Sequence, residues 1–353
     1  MRKLVGLFVA GIFLVSAAGI ASAEGDGPNF TFGASTSIGY DLNDPDAGNT
    51  AANALAYSSQ EQDESFNIDL VQLGINGQRG ALSYAVALDF GDLAAAAGDS
   101  ADGDIALQTA YISYDFDGVG ATVGRFGTPI GYEVLEPWGN AHISRSNAWQ
   151  LQPINHDGIT VSGSADVVDL MIGVVNSYSV SDSTGNDGDD EKGIIGSIGA
   201  GLSDEVSLYL AGIYTEEGDS TDVYALNLIL SGAADAGDTG LSYAFEGNLF
   251  STDNDVVGDN DAWNITGYVG TDAGPIGVDI RADYTKTDSD LLADDVAVWS
   301  ISVTGTVPLA EGVDFRVEYR HDDADADLYG DDDALDDSLD LIQAQLVWHP
   351  EAG

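Results

Sequence analysis

The chain has 353 residues, no cysteine, 44% hydrophobic residues, and 60 acidic against 10 basic side chains, for a formal charge of −50. That charge excludes nucleic acid as a partner, because phosphate binding needs a cationic face. The absence of cysteine excludes a small disulfide-stapled fold, and the patterned hydrophobic content excludes a disordered acidic chain.

The chain opens with Arg2 and Lys3, an apolar stretch from Leu4 to Ala18, and then Ala21-Ser22-Ala23. A positive start, an apolar middle and a small-x-small triplet are the parts of a secretory signal peptide, predicted here over 1–23. Cleavage leaves a chain that starts at Glu24. Beyond Ala23 no apolar run reaches the roughly 18 residues that a membrane-spanning helix needs. A helical membrane protein is therefore excluded, and residues 24–353 are read as one β domain.

From there the dominant pattern has period two. Alternating segments begin near residues 30, 63, 80, 104, 119, 156, 166, 191, 204, 221, 238, 260, 275, 295, 313 and 337. In Val296–Val307, Trp299, Ile301, Val303 and Val307 share one face, and Ser300, Ser302, Thr304 and Thr306 share the other. In Val313–Arg320, Val313, Phe315, Val317 and Tyr319 oppose Asp314, Arg316, Glu318 and Arg320. Such alternation sets one face against an apolar medium and the other against a polar one. The connections alternate too. Short turns such as "GQRG", "DGVG" and "PLAEG" separate longer loops over 43–62, 92–103, 128–155, 179–190, 216–220, 252–259, 287–294 and 322–336.

Two unlike rims characterise an outer-membrane barrel, whose ends meet different compartments. A closed barrel also leaves no strand edge unpaired, as lipid demands. The prediction is all-β: a transmembrane antiparallel β-barrel of about 16 strands (range about 14 to 18), with long outer loops and short periplasmic turns. About 16 strands leave an aqueous lumen, whereas about eight would be filled by side chains. Tyr40, Trp263, Tyr284, Trp299, Tyr319 and Trp348 fall near strand ends, where interfacial girdles are expected. A soluble, secreted halophilic β protein would share the alternation but gives no reason for unequal rims.

The stretch "GRFGTPIGYEVLEPWGNAHISRS", Gly124–Ser146, breaks the alternation. Its Gly124-Arg125-Phe126, Pro129-Ile130-Gly131, Glu133, Glu136 and Ser144-Arg145-Ser146, with Pro153 and His156-Asp157-Gly158 beyond, resemble the signature region of the putative beta-barrel porin-2 group, the OmpL-like porins. Elsewhere the resemblance is one of architecture. It implies a Gram-negative outer-membrane porin. Porins of this strand number are often trimers, so a homotrimer is the assembly expected from the fold. Outer-membrane barrels usually end in an aromatic residue; here Trp348 is followed by His349–Gly353, so it would serve from an internal position.

The connection 128–155 follows the fifth strand. In general porins the connection at that place folds inward and narrows the pore, and the same is expected here. Glu133 and Glu136 then supply negative field, and Arg145 tethers the loop to a wall carboxylate. The alternative is a loop over the outer mouth with solvated glutamates. Arg125, Arg281, Arg316 and Arg320 are basic residues within strands. A charge facing lipid at mid-depth costs about 2–4 kcal/mol, which places all four in the lumen, although Arg125 shares the parity of Val119, Ala121 and Val123. They either set a transverse field opposite the acidic loop or neutralise Asp279, Asp283, Asp314 and Glu318 close by.

The outer loops are rich in acid. Asp323, Asp325 and Asp327 have the spacing of a calcium loop but lack its glycine and its closing glutamate, so they are at most a weak divalent site. His142 near Ser144 and Ser146, and His156 beside Asp157, carry no spacing that demands a catalytic constellation. The expected function is passive diffusion of small hydrophilic solutes and ions with a cation bias, in contact with outer-membrane lipid, without cofactor or enzymatic chemistry. The alternative is a barrel-anchored acidic surface protein that binds partners or divalent cations.

Overall fold

The computed structural model describes residues 28–42, 66–94, 105–180, 191–217, 221–236, 239–255, 258–290, 295–331 and 334–349. The predicted signal peptide over 1–23 and much of the acidic loops over 43–62, 92–103 and 179–190 lie outside the described residues.

The strands are β1 (Asn29–Asp41), β2 (Phe66–Arg79), β3 (Leu82–Phe90), β4 (Ile105–Asp115), β5 (Val119–Gly127), β6 (Asn155–Ala165), β7 (Val168–Val175), β8 (Gly193–Gly201) and β9 (Val206–Glu216). They continue as β10 (Thr221–Ala236), β11 (Thr239–Asn254), β12 (Asn260–Ala273), β13 (Ile276–Ser289), β14 (Val296–Ala310), β15 (Val313–Ala324), the short ribbon β16 (Tyr329–Asp331) and β17 (Ala334–Asp336), and β18 (Ser338–Trp348). Every strand except the ribbon pair joins one closed barrel in which each pairs antiparallel with its chain neighbours. The seam closes where β1 meets β18, with Ser37 opposite Gln345. The largest displacement of an expected start is at β2, predicted near 63 and found at Phe66. The ribbon was not foreseen, because three residues a side are too few to show alternation.

Burial is inverted relative to a soluble protein. Along β14, Trp299, Ile301 and Val303 are exposed, while Ser300, Ser302 and Thr304 between them are buried. Along β15, Phe315, Val317 and Tyr319 face out, and Arg316, Glu318 and Arg320 face in. Arg145, Arg281 and Arg320 are among the most buried large side chains of the molecule. An apolar exterior and a polar interior are what a lipid-embedded barrel around a lumen requires.

Many inward polar groups pair across strands, as buried polar groups tend to. Asn227, Asn248, Asn264 and Thr285 stand in register on β10 to β13. Asn227 Nδ2 donates to Asn248 Oδ1 at 2.7 Å, and Asn264 Nδ2 donates to Thr285 Oγ1 at 2.8 Å. Outside, aromatic groups cluster near the outer ends. Trp263 lies 5.3 Å from Tyr284, and Trp299 Nε1 donates to Asp323 at 2.9 Å. An apolar ring with its polar tip bonded suits a membrane interface.

Candidate functional site

The segment joining β5 to β6 holds the unusual residues. It leaves the sheet because Pro129 and Pro137 have no backbone N–H to give a ladder. Gly131 has φ +100, a conformation in which a side chain is strained. Two short 3-10 turns follow, Pro137–Gly139 and Asn147–Leu151, the first with proline at its opening position. Asn140 knits the first bend together. Its Oδ1 accepts from Val134 N at 2.9 Å, and its Nδ2 donates to the carbonyls of Val134 and Glu136 at 2.7 and 2.8 Å.

The partners of this segment lie half-way round the ring. Counting either way, β13 is the strand opposite β5. Arg281 on β13 donates Nη1 to Glu133 Oε1 at 2.7 Å and to the Ser144 carbonyl at 2.8 Å, and Nη2 to Ser144 Oγ at 2.8 Å. The other Glu133 oxygen accepts from Ser146 N and Oγ at 2.7 and 2.8 Å. Glu318 on β15 accepts the backbone N–H groups of Ile143 and Ser144 at 2.7 and 3.0 Å. Arg320 donates to the carbonyl of Arg145 at 2.5 Å, and Arg316 to that of Pro137 at 2.9 Å. Tyr132 N donates to Glu246 on β11 at 3.0 Å.

Apolar contacts hold the near side. Leu135 and Trp149 pack with Leu70, Leu93 and Ala106, and Ile130 joins Phe126, Val175 and Ile195. Gly33 leaves the space for Trp138, since a Cβ there would lie 2.5 Å from the indole.

The tether has both polarities: the wall's Glu318 accepts from the segment, and the wall's Arg281 donates to the segment's Glu133. Arg145 also braces the segment itself, donating to the carbonyls of Leu135 and Ile143 at 2.9 and 3.3 Å and lying 5.3 Å over Trp149. Glu133 is only 5% exposed. Burial alone would push its carboxyl up, but Arg281, Arg145 and the donors of Ser146 outweigh that and hold it below the ordinary glutamate value. Glu136, by contrast, is half-buried and accepts from the neutral amides of Gln72 and Gln108 at 3.2 and 2.9 Å.

Of the expected lumen arginines, Arg281, Arg316 and Arg320 occupy inward positions. Asp283 lies 3.9 Å from Arg281, and Arg320 pairs with Asp322 at 2.7 Å. Asp279 and Asp314 have inward parity and are half-buried. Arg125 departs from the expectation. Register aligns it with Asp157 as it aligns Val123 with Ile159, and those two apolar side chains are exposed. Arg125 thus keeps the outward parity. Its guanidinium is bidentate on Asp157 at 2.8 Å, with Nη1 on the Leu107 carbonyl at 3.0 Å, so the charge is neutralised where it lies.

Asp323 is taken up by Trp299, and Asp325 Oδ1 accepts from Ala297 N at 2.7 Å. Among the described residues no group of three or more metal-ligating His, Asp or Glu converges. Sequence reasoning missed Asn140, Ser144 and Ser146 as loop-shaping groups and Gln72 and Gln108 as partners of Glu136. Only the clustering of Ser with Asn in an irregular stretch hinted at the first three.

A closed antiparallel barrel with an apolar outside, a polar inside and a connection braced across that inside defines a transmembrane barrel of the porin type. The family described as "Putative beta-barrel porin-2, OmpL-like" matches residues 29–348, and the chain belongs to that family of outer-membrane porins. Among solved structures, OprB of Pseudomonas putida is similar with a TM-score of 0.65 at 10% identity, covering 92% of this chain and 94% of that one. The trimer form of OmpT, an outer membrane protein of Vibrio cholerae, gives a TM-score of 0.60 at 11% identity over 92% of this chain and 99% of that one. The anion-selective porin of Comamonas acidovorans gives 0.57 at 13% identity over 92% and 100%. These likenesses are of fold. No curated protein matches.

Proposed function

We propose that the chain is a passive diffusion pore of the outer membrane, biased towards cations, in which 128–155 is the constriction. The observation that carries this is the bracing of the segment onto β13 and β15 by Arg281 and Glu318. A connection bonded to the wall opposite its own strand narrows whatever passes.

The inner faces of β13 to β15 are closed by the segment: Arg281, Ser302 and Thr304 are at 0% exposure. Inward side chains on the other side, among them Thr31, Gln72, Ser83, Ala85 and Thr109, remain half-buried. Small polar and methyl groups there suit passage of hydrated solutes. Glu136 belongs to that side, while the charge of Glu133 is cancelled by Arg281. The cation bias is therefore assigned to Glu136, aided by the negative charge of the chain as a whole. No covalent chemistry is assigned to any residue. Export by a leader over 1–23 would leave Glu24 as the mature N-terminus, which N-terminal sequencing tests. By analogy with the trimer form of the Vibrio protein, a homotrimer is proposed, which sedimentation in detergent tests.

The pore itself is tested in planar bilayers. Stable ohmic steps are expected, with a reversal potential in a KCl gradient on the cation side that moves towards zero in Glu136→Gln. A barrel that never conducts would favour an acidic surface protein that uses the barrel as its anchor.

A further inference from the structure

Gln72 on β2 donates its amide Nε2 to Asp89 Oδ1 on β3 at 3.0 Å and to Glu136 Oε1 at 3.2 Å. Gln108 on β4 gives a second donor to the same Glu136 oxygen at 2.9 Å. One carboxylate of the wall and one of the crossing segment thus share a single neutral amide. Asp89 is 0% exposed, and its Oδ2 has no hydrogen-bond partner. Among the described residues no Arg, Lys or His forms an ion pair with either carboxylate. The inner-wall acid Asp322 and the segment's Glu133 each have one.

A buried carboxylate oxygen without a donor beside a second carboxylate calls for a positive partner. The available ligands are all oxygens: the free Oδ2 of Asp89, the carboxylate of Glu136 and water. Oxygen ligands of this kind select hard cations, and two carboxylates balance a charge of two. We propose that Asp89 and Glu136 bind a hard divalent cation of the calcium type between β3 and the crossing segment, with Gln72 and Gln108 positioning the carboxylates and water completing the shell. Glu136 is half-buried, which gives an ion in the lumen access to the site. Such an ion fastens the segment on the side of β2 to β4, as Arg281 fastens it at β13. Its effect on current rests on the pore reading above; its binding does not.

The test has two arms. The first measures terbium luminescence on the full chain folded in detergent, displaced by added calcium chloride. Saturable binding is expected in the wild type. Asp89→Asn and Glu136→Gln, which keep shape, are expected to weaken it at least tenfold while retaining the heat-modifiable gel mobility of a folded barrel. Unsaturable terbium binding, or equal binding by both variants, overturns the proposal, and needs no pore activity to do so. The second arm adds calcium chloride to the bilayer in KCl. Reduced potassium current in the wild type, relieved in both variants, supports the site. Normal current that calcium leaves unchanged, with a pH dependence removed by Asp89→Asn, would mean that a shared proton occupies the place, and overturns the cation. No current at all from a chain that still binds terbium would sink the pore and leave the site standing.

Discussion

Arg281 and Glu133 meet at 2.7 Å although the strands they depend on, β13 and β5, stand half-way round the barrel from one another. Neither group reaches bulk water, so the pair acts as a fixed strut and exerts little net field. Its removal is expected to act on the segment and to leave the strands alone. Taking one partner out of a buried ion pair costs about 3–5 kcal/mol, because the other charge is left uncompensated. Arg281→Met should therefore abolish amide-exchange protection over 133–147 while the barrel strands keep theirs. The double variant Arg281→Met with Glu133→Gln should recover part of the loss, since no lone charge remains. Hydrogen exchange with mass spectrometry reads both outcomes, and a double variant no better than the single one would deny the coupling.

The same strut has a defined response to acid. Glu133 is held below the ordinary glutamate value by Arg281, Arg145 and Ser146 against the opposing effect of burial. A carboxylate depressed in the folded state contributes stability that is full above its unfolded value, about 4.3, and is lost as pH falls through the folded value. The part of the conductance and open-channel noise response that Glu133→Gln removes should thus lie below about pH 4, not between about pH 8 and about pH 5. A transition in noise near neutral pH that survives in Glu133→Gln would place the acid-sensitive group elsewhere.

The barrel was legible in the sequence because period-two alternation is a direct image of two media: Ile301 and Val303 meet lipid, and Ser302 between them meets Arg281. The turns were legible from residues such as Gly80 and Gly118, whose φ values are positive. The interior of 128–155 was not. Its contacts join residues far apart in the chain, such as Ser144 with Glu318, and no local pattern encodes which strand lies opposite. Glu133, Glu136 and Arg145 stood out in the sequence, but how their surroundings differ depends on which of them the wall covers. Arg125 shows the converse. Its parity was visible in the sequence, and the general cost of charge in lipid argued against it until Asp157 supplied a bidentate partner.

Two neighbours on β14 offer a direct test of sidedness. Ile301 is exposed on the apolar band, so Ile301→Arg should cost about 2–4 kcal/mol of folding free energy if it lies near mid-membrane. Ser302, one residue on, is buried and accepts from Arg281 Nη2 at 3.0 Å. Ser302→Ala removes one hydrogen bond to a charged group, worth about 1.5–3 kcal/mol, and should perturb the segment more than the barrel. Urea titration of refolding into lipid vesicles, followed by tryptophan fluorescence, separates the two. An Ile301→Arg barrel as stable as the wild type would contradict the assignment of faces.

The glycines of the family signature have a backbone reason. Gly124 has φ +125, and a Cβ there would lie 2.2 Å from the Ala110 carbonyl oxygen and 2.9 Å from Tyr111 Cα. Gly158 stands opposite it in register, and a Cβ there would lie 2.3 Å from the Val174 carbonyl oxygen. Both obstructions are main-chain atoms of the neighbouring strand, so no rotamer change can relieve them. Holding a residue with a side chain in such a conformation costs about 1–3 kcal/mol before the clash is counted. Gly124→Ala is therefore expected to pull β5 away from β4 at the point where the chain turns into the lumen, displacing Arg125 from the Leu107 carbonyl and slackening the segment that follows. Gly127→Ala is the control, because a Cβ there meets nothing within 4 Å and its φ is ordinary. The fraction of protein that migrates as folded barrel on unheated gels should fall for Gly124→Ala and stay at the wild-type level for Gly127→Ala. If both variants assemble equally, the glycine at 124 is not required by the β4–β5 approach, and its place in the signature has another cause.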